Sequence, residues 1–191
     1  MPRVSDEHLE ARRAQILDAA RRAFTRNGFH STSMQDVFRE AGLSAGAVYR
    51  YFPSKEAIIG AIAAEAVRTL RAAFTEDDDA TPLELIGRAV RAVDARARAD
   101  DVGRLALQVW AEAARSETLR EGIAAEVQEA RAVLARRLEP DYGDRAEDLA
   151  AVIVSLLPGY IHSCTVVGDM DPERYLRGIE ALLSAPARRG G

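Results

Sequence analysis

This sequence predicts an all-α protein: an N-terminal three-helix helix-turn-helix domain followed by a larger C-terminal helical bundle, about nine helices in all. Three observations carry that expectation. Apolar residues recur at helical spacing along most of the 191 residues. Ala and Leu are abundant, Arg dominates the cations, and neither an alternating strand pattern nor a repeat is found. The segment Gly28–Lys55 reads as two short helices around a tight AGLS turn, with a longer helix starting directly after it.

The first helix is expected from His8 to Asn27, where Leu9, Ile16, Ala20, Ala23 and Phe24 share one face. Gly28 stops it, and Phe29 supplies the apolar contact that accompanies such a stop. Ser33 caps a second helix, with Asp36 three residues on in a capping-box position. Met34, Val37, Phe38 and Ala41 form its inner face. Gly42 opens the turn, where a positive φ costs glycine least, and Leu43 plugs it. Ser44 caps the third helix, which buries Val48 and Phe52. Pro53 stops that helix, and Ser54 caps the fourth, whose face runs Ile58, Ile62, Ala66, Leu70, Phe74. The acidic run Glu76–Asp79 is expected as a solvated loop. Thr81-Pro82-Leu83-Glu84 is a strong helix start, and further helices are expected at 82–98, 102–115, 117–139, 145–167 and 172–184. Pro158-Gly159 should kink or loosen the eighth, because proline removes a helical hydrogen bond.

Composition narrows the function. The single cysteine, Cys164, leaves no intramolecular disulfide and no multi-thiolate metal site within one chain. No window holds eighteen uncharged apolar residues, and no signal-like core opens the chain, so a cytoplasmic protein without a membrane span is expected. Three histidines, His8, His30 and His162, form no ligand cluster, and neither an HExxH nor a phosphate-cradling glycine loop is found. An enzyme is therefore not expected, nor a metal or cofactor. The net charge of −4 conceals an asymmetry: residues 1–56 hold nine basic and seven acidic residues, and the remainder 17 and 23. A head at +2 on a body at −6 permits a nucleic-acid partner for the head. Helix, turn, helix is also the geometry that lays one helix in a DNA major groove.

The patterns GF-x-x-TSM-x-x-V and EAGLS-x-G-x-VY-x-YF-x-SK, over about residues 8–60, resemble the TetR family of transcriptional regulators. The closing phrase DPERYLRGIEALL is family-like as well. The resemblance implies a DNA-binding head, residues 1–54, and a ligand-binding and dimerisation body, residues 55–191. It implies a homodimer joined through the last two long helices, a near-palindromic double-stranded operator, and a small apolar effector that releases a repressor. A constitutive regulator whose body only dimerises is the alternative. Phe38 stands where many members carry a small alanine.

Candidate DNA contacts follow. Lys55, the only lysine, starts the fourth helix, where its ammonium and free backbone N–H groups can meet one phosphate. Tyr49 and Tyr51 are pushed to the rim because Val48 and Phe52 fill the apolar face; the resemblance implies backbone or thymine-methyl contact for Tyr49 and phosphate for Tyr51. Arg50 either pairs with guanine or clamps a phosphate. Gln35 suits adenine. Thr32, Ser33 and Ser44 are caps first, with Ser33 a phosphate donor as well. Ala45, Gly46 and Ala47 let the helix sit deep. In the body, Phe74, Leu105, Gln108, Trp110, Ile123, Val127, Leu157 and Tyr160 are the candidate pocket residues. Trp110 either packs in the core or lines a cavity. The eighth helix is apolar nearly all round, which fits core on one side and a partner on the other.

Overall fold

A computed structural model describes residues 6–75, 79–98 and 102–184, and these contain helices and turns but no strand. Nine α-helices are found among the described residues: α1 (Asp6–Asn27), α2 (Met34–Ala41), α3 (Ala45–Tyr49), α4 (Lys55–Ala73), α5 (Pro82–Arg98), α6 (Val102–Ala113), α7 (Glu117–Tyr142), α8 (Ala146–His162) and α9 (Pro172–Ser184). The all-α expectation holds. Most of the Glu76–Asp79 run lies outside the described residues; Asp79 is an exposed turn residue.

The boundaries come from the chemistry the sequence announces. Gly28 (φ 82°), Gly42 (φ 65°) and Gly168 (φ 79°) adopt the left-handed conformation and end α1, α2 and the α8 segment. Thr81 and Glu84 exchange hydrogen bonds as a capping box before α5, with Pro82 at its first position. Asp171 accepts from the Arg174 N–H at 2.9 Å and starts α9.

Two prolines lie inside helices. α7 runs through Pro140 to Tyr142, three residues beyond the expected end, because a proline in the last turn forfeits little of the hydrogen-bond ladder. α8 runs through Pro158 and Gly159, and its irregularity falls later. A π-turn at Ser163–Val167 closes on Gly168, whose N–H donates to the Ser163 carbonyl at 2.8 Å.

The described residues form two compact units. The first gathers those of 1–67 and 99–126, the second those of 68–98 and 127–191. In the first, Ile16, Leu17, Ala20, Phe24, Val37, Val48, Ile58 and Ile59 are fully buried. α1 packs on α2 and on α6, Gln15 donates to the Ala41 carbonyl at 2.9 Å, and Arg22 and Arg26 fork onto Glu40. Those two guanidiniums hold the Glu40 carboxyl below its usual 4.5. Leu119 lies close against Gly60, where an added Cβ would come within 3.3 Å of it.

In the second unit Phe74, Leu85, Ile86, Ala89, Val90, Leu134, Leu138, Ala150 and Tyr160 form a fully buried core, with Ile153, Leu157, Leu176 and Ile179 around them. α5 packs against α8 and α9. The helical stretch Glu117–Val167 contains an 18-residue window of mean hydropathy 1.7, long and apolar enough by length and composition to cross a membrane, of which 28% is buried. Core residues account for its buried share; Val152, Val166 and Val167 leave apolar surface outside.

Candidate nucleic-acid interface

The head is built outward from its caps. Ser33 has extended backbone (φ −91°, ψ 164°) and its hydroxyl oxygen accepts from the Asp36 N–H at 3.2 Å. The Asp36 carboxylate accepts in return from the Ser33 N–H at 2.9 Å and the Ser33 hydroxyl at 2.7 Å. These bonds, the hydroxyl first, hold the Asp36 carboxyl below its usual 3.8. After α2 the Gly42 N–H returns to the carbonyls of Arg39 and Phe38. Ser44 then opens α3, accepting from the Ala47 N–H at 3.3 Å.

α3 is short, and its orientation is fixed by what it buries. Val48 is fully buried and Phe52, in the turn after it, is 2% exposed. The Arg13 guanidinium lies 4.8 Å above the Phe52 ring. With those two residues inward, Ser44, Ala45, Gly46, Tyr49 and Arg50 are exposed on the other side, Ala47 and Tyr51 half-buried beside them, and Gln35 is exposed on α2. Phe38 packs edge-on against Tyr49 at 5.2 Å. A larger residue there gives Tyr49 a wall to stand against, and the phenol still keeps 49% of its surface.

Two candidates behave otherwise. Thr32 is 1% exposed, and its hydroxyl donates to the Gly28 carbonyl at 2.8 Å, with the Ala23 carbonyl at 3.2 Å. It ties the α1–α2 loop to the end of α1 and presents no group to a ligand outside. Lys55 is half-buried: its ammonium donates to the carbonyls of Phe29 at 2.7 Å and Thr32 at 2.9 Å, and lies 4.4 Å above the Phe29 ring. Sequence reasoning put this ammonium at the surface of α4. The loop carbonyls that reach it lie 23 and 26 residues upstream, and nothing local announces them.

The candidate pocket residues are divided between the two units. Leu105, Gln108, Trp110 and Ile123 belong to the first unit; Phe74, Val127, Leu157 and Tyr160 belong to the second. Trp110 is 43% exposed on α6 and so is not a core residue. Phe74, Leu157 and Tyr160 sit in the second unit's packed core. The Tyr160 hydroxyl donates to Asp94 at 2.6 Å, and its ring packs on Tyr175 at 4.9 Å. Burial, reinforced by Asp94 and Cys164, pushes the Tyr160 phenol well above its usual 10.0, and burial pushes Tyr175 up to about 12, so both act as neutral donors. Gln108 does face an open cavity of about 300 Å³ in the first unit, with Gly28, Phe29, Ala111, Glu112 and Arg115.

The family described as bacterial regulatory proteins, tetR family, matches residues 16–62, from the second half of α1 to the early part of α4. The HTH-type transcriptional repressor Rv1474c of Mycobacterium tuberculosis is 38% identical over 77 residues, 40% of this chain and 41% of that protein. The chain spans well under half the length of the curated relatives it matches. Among solved structures, Salmonella enterica GusR is 26% identical with a TM-score of 0.74, covering 95% of this chain and 98% of that one. The transcriptional regulator FadR from Bacillus subtilis, solved in complex with stearoyl-CoA, shares the fold at 20% identity, TM-score 0.73, over 90% of this chain and 97% of that one. Residues 16–62, which hold the helix-turn-helix, thus match the tetR family of bacterial regulatory proteins, and the fold of the whole chain is similar to that of solved regulators.

Proposed function

We propose that this protein is a homodimeric, ligand-responsive transcriptional repressor that reads a palindromic operator with α3 and is released by a small apolar effector. The observation that carries the DNA-binding part is the division of α3. Val48 and Phe52 anchor it inward, while Ser44, Ala45, Gly46, Tyr49 and Arg50 are exposed together. Small residues at 45–47 let the helix approach base edges, and Arg50, with no partner in the described structure, supplies a guanidinium able to pair with guanine O6 and N7. Tyr49 and Tyr51 flank it as backbone contacts, Ser33 is a phosphate donor at the α2 N-terminus, and Gln35 reaches toward adenine. Lys55, at the start of α4, contributes positive charge to the head and is the phosphate contact of this reading. Residues 1–54 form the DNA-binding part and residues 55–191 the sensing and dimerising part of this reading.

Selection of bound DNA from a random pool tests it. A two-fold symmetric site with half-sites about 34–36 Å apart is expected, and absence of any enriched sequence rejects it. Dimerisation is supported by the last two helices, which leave Val152, Val166, Val167 and Leu182 more than half exposed.

A constitutive regulator, with a body that only dimerises, is favoured by one observation: the polar handles of Tyr160 and Tyr175 are already taken, by Asp94 and by the Leu156 carbonyl. Titrating apolar compounds against the protein–operator complex separates the two. Saturable release of the operator supports an effector, and binding that never alters DNA affinity supports the constitutive form.

A further inference from the structure

We infer that Gln108, on α6, is a positioning residue for the reading head: its side-chain carbonyl holds the peptide of Phe29 and thereby sets where α2 begins. The inference rests on the DNA-binding reading above.

The argument starts from an unpaired donor. Gly28 leaves α1 with φ 82°, so the next N–H, that of Phe29, points away from the helical ladder. Phe29 is only 5% exposed, and a buried backbone N–H without a partner is costly. The partner is Gln108 Oε1 at 2.8 Å, supplied from 79 residues downstream. The donor is a backbone N–H, so the atom facing it must be the amide oxygen, which settles the orientation of the side chain.

The other end of the same peptide unit pair is held as well. Lys55 takes the Phe29 and Thr32 carbonyls, and the Thr32 hydroxyl takes that of Gly28. Within the loop itself, the Thr32 N–H reaches the Phe29 carbonyl at only 3.4 Å, so the loop's shape depends on groups brought to it. Ser33 follows immediately and is the N-cap of α2. α2 in turn carries Gln35 and braces Tyr49 through Phe38. A shift of the Phe29 peptide therefore passes to the start of α2 and to the wall behind Tyr49. Gln108 touches none of the exposed α3 surface, and its neighbours Glu112 and Arg115 meet His30 at the cavity rim, each within 2.8 Å of His30 Nε2. Its one observed polar role is the loop.

The test compares Gln108→Met, close in volume but without an acceptor, with Gln108→Glu, which keeps an acceptor oxygen at the same reach. Two quantities are measured on the full chain, at a temperature where melting curves show every variant folded: amide exchange at Phe29, and affinity for the selected operator across a salt series. For Gln108→Met, faster Phe29 exchange is expected, together with operator binding weakened about three- to tenfold and an unchanged salt slope, since no phosphate contact is removed. Gln108→Glu should restore both. Unaltered Phe29 exchange in Gln108→Met overturns the bond. Faster exchange with wild-type operator affinity overturns the coupling to reading. A salt slope that falls by about one would show that a cationic phosphate contact is lost with Gln108, and overturns a role confined to positioning α2. A wild-type chain that enriches no DNA sinks the DNA-binding reading and the coupling with it, while the exchange measurement still shows whether Gln108 holds the loop.

Discussion

At the scale of single residues, the head separates groups that face outward from groups that hold it together, and the two kinds should fail differently. Arg50 is exposed with no partner among the described residues, so Arg50→Ala should leave the melting temperature in place. It should relax preference at one operator position and cost about 1–3 kcal/mol there; binding to a panel of single-base operator variants checks this. Thr32 is the opposite case. Thr32→Val keeps the shape and deletes a buried hydroxyl bonded to the end of α1, so a loss of about 1–3 kcal/mol in urea unfolding is expected, with the salt slope of DNA binding unchanged. The exposed residues were legible in the sequence, because the apolar positions Val48 and Phe52 dictate which side of α3 is left over. The partners of Thr32, Lys55 and Phe29 were not. Those of Lys55 and Phe29 are long-range polar bonds, across 23 to 79 residues. That of Thr32 reaches only four to nine, and hydrophobic periodicity carries no information about where a hydroxyl, a lysine ammonium or a glutamine carbonyl ends up.

Elements are where sequence reasoning reached furthest, and the reason is that caps are local. Ser33–Asp36, Thr81–Glu84 and Asp171–Arg174 each sit three residues apart, so the signature and the hydrogen bonds occupy the same short window. α2 has only eight residues, so its cap matters more than in a long helix, and Ser33→Ala should cost about 1 kcal/mol. The cap also links stability to acid. The Asp36 carboxyl is held below 3.8 in the folded chain, so its contribution is fully present above that value. It disappears as pH falls through the lowered folded value, when the carboxyl gains a proton and stops accepting. Unfolding curves collected from pH 6 down to pH 2 should show this loss in the wild type and a smaller one in Ser33→Ala. Prolines were read less well. The seventh helix was expected to end just before Pro140, yet α7 absorbs that proline, whereas the eighth was expected to continue through Pro158 and does.

For the whole molecule, the all-α architecture was readable because nearly every segment repeats the same period, whereas the grouping of helices into packed units was not. The sequence suggested a division at residue 54, where the recognised motif ends. Packing groups α6 and the start of α7 with the head helices, because shared burial decides which helices cohere. The candidate pocket was the least legible part: its residues were chosen for apolar character, which core and cavity walls share. Assembly is open to direct test. Val152 and Leu182 are 56% and 73% exposed on α8 and α9, so Val152→Glu with Leu182→Glu should disturb the fold of one chain little, surface changes typically costing within about 0.5 kcal/mol. If these helices join two copies, the double variant should sediment at half the wild-type mass and lose its affinity for the symmetric operator.

The lysine clamped over Phe29 is also the only one among 191 residues. An amine-directed reagent therefore meets a single side chain in this protein, one already engaged with two backbone carbonyls. Reductive methylation with isotope-labelled formaldehyde would install one side-chain probe, apart from that on the α-amino group, against the loop that leads into α2. Its resonance would report, without any mutation, whether the loop beneath the head is closed or has come apart.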